Sequence, residues 1–313
     1  MGDAALRGPL ARNRFHSYVP PAMVKEIDPG EVAMQFRSEL RAQIAELSQP
    51  LTLVGFLSTD AAPSRAYAEY TRAGCADVGI RFDLREVDRL ELDNAIEAAN
   101  ADSAVHGIMA YYPIFGVDRD RYLKDLVDPG KDVEGLTTHW AQKLYRNERF
   151  ADPEKTKPAI LPCTPLAILK LLAAADCNPA GKKVVVFNRS EVVGRPLARM
   201  LANDGAEVIS FDVDGARRFE DAREVETATT RGEALAAADV VITGVPSRDF
   251  PLVSARELRA GAVCVNFSTL KNFADDIGEV ASVFVPRVGP MTVAMALRNV
   301  LRLFESSRRG GAS

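Results

Sequence analysis

Apolar residues fall in two rhythms along this chain. Near-continuous runs occur at LTLVGFL (51–57), VHGIMAY (105–111), VVVF (184–187), DVVIT (239–243) and AVCVNF (262–267), the pattern of strands buried on both faces. Between them, apolar residues recur at helical spacing. Asp28 and Pro29 cap and open a helix whose stripe is Phe36, Leu40, Ile44 and Leu47. Another helix starts at Ser64, carries Tyr67, Tyr70 and Thr71, and is closed by Gly79. Arg81 to Val87 reads as a strand, followed by a helix holding Leu90, Leu92 and Ile96 and by a short helix over 118–127. Residues 129–162 read as loop, and Thr164–Pro165 as the cap and first turn of a helix continuing into LAILKLL. Asp221 to Gly232 is polar and reads as a surface excursion. A last helix runs from about Pro290 to Phe304 on Val293, Leu297, Val300 and Phe304, and the tail SSRRGGAS reads as disordered. This alternation predicts an α/β fold with parallel sheet covered on both faces.

Val184 to Gly215 carries the strongest chemical signal. A buried strand, a turn-like loop, a helix opening at Gly194–Arg195–Pro196 and a second strand ending on Asp212 form the first half of a dinucleotide-binding unit. The usual G-x-G-x-x-G is absent; Asn188 stands where a first glycine would serve. The helix N-terminus offers free N–H groups to a pyrophosphate, and Arg189, Ser190 and Arg195 can add charge and donors. Asp212 at the strand end suits a ribose diol and repels a 2′-phosphate, which predicts NAD over NADP. Asp214 takes that role if the register differs by two. Arg189 pulls the other way, since it can hold either a 2′-phosphate or the pyrophosphate. Gly244, ending the 239–243 strand, permits close approach of a cofactor. A crossover with no ligand is the alternative reading of the same pattern.

Composition narrows the class. At 313 residues, 47% hydrophobic and 26% charged, the chain fits two soluble domains. A formal charge of −4 gives no reason to expect nucleic acid or an anionic membrane as partner. Cys75, Cys163, Cys177 and Cys264 are scattered like reduced intracellular thiols, and isolated His16, His106 and His139 make no metal motif. No apolar run is long enough to span a membrane. Residues 1–23 carry arginines and one acid, a composition shared by disordered tails and mitochondrial transit peptides. A cytoplasmic protein is expected, with a mitochondrial one as the alternative.

Five stretches in order resemble the methylenetetrahydrofolate dehydrogenase/cyclohydrolase family: S-x-x-Y (Ser64–Tyr67), KDVEG (131–135), PCTP (162–165), RSxxVGRP (189–196) and GPMTVA (289–294). Within it, NRSEVVGRPLA, LANDGA, VITGVPS and AVCVNF with the following KNF and DD resemble the monofunctional NAD-dependent branch found in yeast. The resemblance implies a folate-binding α/β domain over 1–161, completed by a returning helix at 290–313, and a Rossmann-like, doubly wound NAD-binding domain over 162–289. It implies folate in the cleft between them, and a homodimer. Substrate contacts would come from Ser64, Tyr67, Tyr111, Glu134, Pro286, Gly289 and Pro290. Cofactor contacts would come from Asn188, Arg189, Ser190, Gly194, Arg195, Pro196, Asp212, Val213, Gly244, Val245, Asn266 and Thr292. Tyr67, Thr71, Tyr111 and Glu134 would surround the reaction.

The departures from the family pattern bear on the chemistry. Bifunctional members carry a lysine where this chain has Thr71, and a glutamine where it has Tyr111; Glu134 replaces a commoner aspartate, and Arg287 a glycine pair. Hydride removal from a methylene between two nitrogens leaves a delocalised cation and needs no base. Removing a lysine charge beside that cation favours it by about 3 kcal/mol at ~5 Å and an effective dielectric of ~20. Thr71 therefore predicts hydride transfer without hydrolysis. Tyr67 positions the folate or packs in the core; Glu134 receives the pterin N–H groups or is a solvated loop acid; Tyr111 stacks or fills the space of the missing glutamine. A bifunctional enzyme and a non-catalytic folate- or nucleotide-binding relative are the competing readings.

Overall fold

The computed structural model describes residues 24–220 and 223–310, so the expectations for residues 1–23 fall outside it. Two sheets organise these residues. The smaller has strand order β3-β2-β4, all parallel, from β2 (Thr52–Leu57), β3 (Arg81–Glu86) and β4 (Gly107–Ala110). The larger has order β1-β11-β10-β9-β5-β6-β7-β8, its last two strands, β7 (Gly215–Glu220) and β8 (Arg223–Glu226), being antiparallel. Its parallel part comprises β1 (Lys25–Glu26), β5 (Lys183–Phe187), β6 (Glu207–Asp212), β9 (Val240–Thr243), β10 (Val263–Asn266) and β11 (Val283–Val285). The fold is two-domain α/β with mainly parallel sheet, as the alternation predicts.

Side chains alternate across both sheets, as the pleat requires. Val184, Val186, Val240 and Ile242 enter one core, while Val185, Phe187 and Val241 enter the core on the opposite face. In the smaller sheet Leu53 and Leu57 face one core, and Val54 and Phe56 the other. Helices α1 (Pro29–Ala45), α2 (Ala62–Val78), α3 (Leu92–Ala101) and α4 (Val117–Leu126) accompany the smaller sheet. Asp28 caps α1 by accepting from Gly30 N–H, and Gly79 ends α2 in the left-handed region at φ 83°. Helices α6 (Cys163–Ala174), α7 (Gly194–Asn203) and α8 (Arg231–Ala237) pack on the larger sheet.

The last helix, α9 (Gly289–Gly310), belongs to both halves. Met291, Ala294 and Met295 pack in the core with α6 and α7, whereas Val293, Leu297, Val300 and Phe304 pack against the smaller sheet.

Several expectations need correction. Within the polar stretch 221–232, Arg223–Glu226 forms strand β8, which pairs antiparallel with β7 (Gly215–Glu220) at the edge of the larger sheet, and Arg231 begins α8. Helix α5 (Thr138–Tyr145) interrupts the expected loop, anchored by buried Trp140 and Leu144. Pro162, not Thr164, occupies the N-cap of α6, and Thr164 lies inside its first turn. Leu90 is exposed in the turn before α3. Most of the tail expected to be disordered continues α9 as far as Gly310.

Candidate active site

A cleft of about 1230 Å³ lies between the two halves. One wall carries Tyr67 and Tyr70 from α2, Ala110 to Tyr112 from the end of β4, and Glu134. The other carries Val192 from the loop after β5, Asn266 and the residues following β10, and Pro286 to Pro290 at the approach to α9. Thr164 and Thr292, in the first turns of α6 and α9, meet at 3.4 Å between their hydroxyls and line the cleft.

Helical phase sorts α2. Pro63, Ala66, Tyr67 and Tyr70 share the face that lines the cleft. Ser64, Ala68, Thr71 and Cys75 share the buried face. Ser64, expected to touch substrate, is therefore in the protein core and does not line the cleft. Thr71 is fully buried, and its hydroxyl donates to the Tyr67 carbonyl at 2.8 Å. Tyr111, only 2% exposed, sets its ring edge-on to Tyr67 with centroids 5.5 Å apart, and its hydroxyl reaches Met109 Sδ at 3.7 Å. It fills the space beside Thr71 while still contributing to the cleft wall. Burial pushes the phenols of both Tyr67 and Tyr111 above their ordinary value. The neighbouring Tyr112 hydroxyl is buried at the cleft without a partner among the described residues, a feature its sequence context did not signal.

Each residue of KDVEG has a structural task. Lys131 Nζ donates to the carbonyls of Ala99, Asn100 and Asp102 at the end of α3. Asp132, 4% exposed, accepts from the N–H groups of Glu134, Gly135 and Thr137 and so curls the loop. The Val133 carbonyl accepts from Asn299 on α9 and from the Cys163 thiol. Gly135 has φ 64°, and a Cβ there would meet the Leu161 backbone at 2.9 Å. Glu134 is thereby aimed at the tyrosines, with Oε2 accepting from Ala110 N–H at 3.4 Å. Desolvation by the cleft walls, reinforced by Asp132, pushes its carboxyl up to about 8. It is a half-buried cleft acid, not a solvated loop acid.

The loop from Asn188 to Val193 is cross-linked by its own side chains. Asn188 Nδ2 donates to the Gly244 carbonyl at 2.9 Å, tying the loop to the end of β9. Its Oδ1 accepts from both the N–H and the hydroxyl of Ser190. Ser190 Oγ in turn receives the N–H groups of Val193 and Gly194 at 3.3 and 3.4 Å, long bonds at the start of α7 that a phosphate oxygen can replace. Gly194 is obligatory, since a Cβ would lie 2.2 Å from the Asn188 carbonyl oxygen. Pro196 is buried in the first turn. At Gly244 a Cβ would meet the edge of the Phe267 ring at 1.9 Å, so a side chain there would have to displace that ring. Asn272, fully buried, clamps Val245 by donating to its carbonyl and accepting from its N–H. Asn266 Nδ2 donates to the Leu270 carbonyl and shapes the following loop.

The two cations expected to greet a phosphate are already engaged. Arg189 is 6% exposed, with its guanidinium on Ser210, Asp214 and Gly215. Arg195 pairs with Glu224 of the hairpin at 3.0 Å. Asp212 is exposed at the end of β6, its carboxylate oriented by Arg189 N–H at 2.6 Å and Val213 N–H at 2.8 Å. Val213 itself is fully exposed at the hairpin turn.

A doubly wound half, a tyrosine- and carboxyl-lined half and a cleft between them define a two-domain α/β protein. Comparison with known proteins identifies the family. The catalytic-domain profile of the tetrahydrofolate dehydrogenase/cyclohydrolase family matches residues 27–134, and its NAD(P)-binding-domain profile matches residues 162–308. The chain belongs to that family. It is 41% identical over 302 residues to methylenetetrahydrofolate dehydrogenase (NAD+) of Schizosaccharomyces pombe, covering 91% of this chain and 94% of the relative. It is 42% identical over 311 residues to the protein of the same name from Saccharomyces cerevisiae, covering 87% and 93%. The solved structure of the NAD-dependent 5,10-methylenetetrahydrofolate dehydrogenase from Saccharomyces cerevisiae superposes with a TM-score of 0.85 at 38% identity, over 92% of this chain and 99% of that one.

Proposed function

We propose that this protein oxidises methylenetetrahydrofolate to methenyltetrahydrofolate by hydride transfer to NAD and releases the product without hydrolysing it. The observation that carries the reading is the cleft, which sets Tyr67, Tyr112 and Glu134 opposite Val192, Asn266 and Thr292. In this reading the pterin amino and ring N–H groups bind Glu134, and the Tyr67 ring and hydroxyl fix the folate. Bound NAD would supply the hydride acceptor for the substrate carbon, which hydride transfer needs at ~3–3.5 Å. Ser190 and Gly194 at the start of α7 would hold its pyrophosphate, and Asp212 would accept from its adenosine ribose diol. Pro286, Gly289 and Pro290 border the folate, while Gly244 and Val245 border the cofactor.

The developing cation is not opposed by a neighbouring charge. The cations lining the cleft among the described residues are Lys271 and Arg287, each beside an acid, Asp275 or Asp28. Hydrolysis of the methenyl product would need an acid–base group at the reacting carbon. Thr71 has none and is buried behind Tyr67 and Tyr111, and the cleft acid Glu134 is occupied by the pterin N–H groups in this reading.

Mixing the protein with NAD and methylenetetrahydrofolate is expected to raise absorbance at the reduced-nicotinamide band, with methenyl absorbance then decaying at the rate of buffer alone. No reduced nicotinamide with either NAD or NADP would overturn the dehydrogenase reading; enzyme-dependent decay would overturn the absence of hydrolysis.

The same proposal takes residues 1–161 with 290–313 as the folate domain and 162–289 as the NAD domain. It takes the subunit as a homodimer, supported by the family resemblance and by β8 ending the larger sheet as an edge strand; light scattering at micromolar concentration should return twice the chain mass. A cytoplasmic location completes it, supported by four unpaired cysteines, and cell fractionation tests it.

A further inference from the structure

Arg189 presents an apparent contradiction for a protein read as using NAD. It stands in the loop after β5 with its own N–H 2.6 Å from the Asp212 carboxylate, beside the place proposed for the adenosine ribose. An arginine there is positioned to grasp a 2′-phosphate and so to recruit NADP. Its side chain does not face that place. Nη1 donates to the Ser210 carbonyl at 3.3 Å and to the Ser210 hydroxyl at 3.0 Å. Nη2 donates to the Gly215 carbonyl at 2.9 Å and to Asp214 Oδ1. Both terminal nitrogens therefore spend their donors inside the protein, leaving no forked pair for a phosphate.

Of these partners only Asp214 is charged, and it occupies the two-residue turn between Asp212 and Gly215. Arg217 donates to its other oxygen at 2.9 Å, which fixes the carboxylate from the opposite side. We propose that Asp214 is a second determinant of cofactor choice: it holds the Arg189 guanidinium in the hairpin and so withholds it from a 2′-phosphate. Asp212 repels that phosphate, and Asp214 removes the cation that would attract it. The inference rests on the reading of Asp212 as the ribose-binding acid.

The test separates the two. Wild type, Asp214→Ala, Asp214→Asn and the double variant Asp214→Ala/Arg189→Met are titrated with 5′-ADP and with 2′,5′-ADP, and kcat/KM is measured with NAD and NADP. Asp214→Ala should raise the affinity for 2′,5′-ADP relative to 5′-ADP by about tenfold, the effect of one hydrogen bond gained to a charged group. The NADP/NAD ratio of kcat/KM should rise with it. Asp214→Asn keeps an acceptor without the charge, so its gain should be smaller, and it serves if the alanine variant folds poorly. The double variant should lose the gain, because the freed cation is gone. An unchanged nucleotide ratio in both single variants, an equal loss for both nucleotides, or a gain that survives in the double variant would overturn the proposal. Wild type that binds neither 5′-ADP nor NAD would overturn the NAD reading as well; wild type that binds them, with no gain in the variants, overturns this inference alone.

Discussion

Asn299, fully buried on α9, donates a 2.8 Å hydrogen bond to the carbonyl of Val133, the residue that precedes Glu134. The same side-chain nitrogen reaches the Leu161 carbonyl at 3.2 Å, so one amide from the end of the chain pins the two strands of loop that form the floor of the cleft. Asn299→Ala leaves both carbonyls in the core with less than their due, at a cost of about 1–3 kcal/mol. The expected outcome is a lower melting temperature and weaker folate binding, with 5′-ADP affinity little changed. Equal losses for folate and 5′-ADP would mean that the residue supports the whole fold and not the Glu134 loop.

Glu134 should make folate binding pH-dependent. With its carboxyl pushed up to about 8, the free protein holds a proton there at neutral pH. The pterin offers donors, which favour the ionised carboxylate, so binding expels that proton below pH 8. Affinity is expected to improve with rising pH, by up to about tenfold per unit, and to level off above 8. Calorimetry in two buffers of different ionisation enthalpy should detect proton release, and Glu134→Gln should abolish it. Stability carries the opposite sign. The folded state binds the proton more tightly than the unfolded one, so the wild type loses stability between about 4.5 and 8 relative to Glu134→Gln, and the difference grows no further above that range. Melting curves of the two proteins across pH check this.

Asp212→Ser should lower kcat/KM for NAD by about tenfold and narrow the preference over NADP. Because the carboxylate also accepts from Arg189 N–H and Val213 N–H, part of the loss should appear with any adenine nucleotide. A ratio of NAD to NADP efficiency identical to wild type would remove Asp212 from cofactor choice.

Lysine at position 71 needs room that Tyr111 now occupies. Thr71→Lys alone buries a charge among apolar neighbours and is expected to cost about 3–5 kcal/mol. Thr71→Lys with Tyr111→Gln opens the space and supplies a polar neighbour, so the double variant should melt above the single one. It should also hydrolyse methenyltetrahydrofolate faster than buffer while transferring hydride more slowly. A double variant no more stable than the single would show that Tyr111 is not what excludes the lysine.

Legibility in the sequence followed the strength of local signals. The buried strands, the Asp28 cap and the Gly79 stop were readable because each is determined within a few residues. The β7–β8 hairpin was not, because Arg217, Arg218, Glu224 and Glu226 resemble a solvated loop until they are paired across strands. Helix α5 hid behind only two buried residues, Trp140 and Leu144. In the site, Tyr67 and Glu134 could be singled out from motif and residue type. The engagement of Arg189 by Asp214 and of Arg195 by Glu224 could not, since Asp214 lies in the β6–β7 turn and Glu224 on β8, antiparallel additions the sequence did not announce. Ser64 went astray through helical phase alone: four positions from Ala68 and seven from Thr71, it belongs to the buried stripe.

Helix α9 gives the chain an order of completion. Val293, Leu297, Val300 and Phe304 close the core of the smaller sheet, although that sheet's last strand ends at Ala110. During synthesis the first half is therefore a core with one wall missing until α9 has left the ribosome. Because β1, from the other end of the chain, pairs with β11 of the larger sheet, neither half finishes without a piece of the other. The two halves are interlocked at both crossings, and a chain cut before α9 leaves the core of the smaller sheet open on one side.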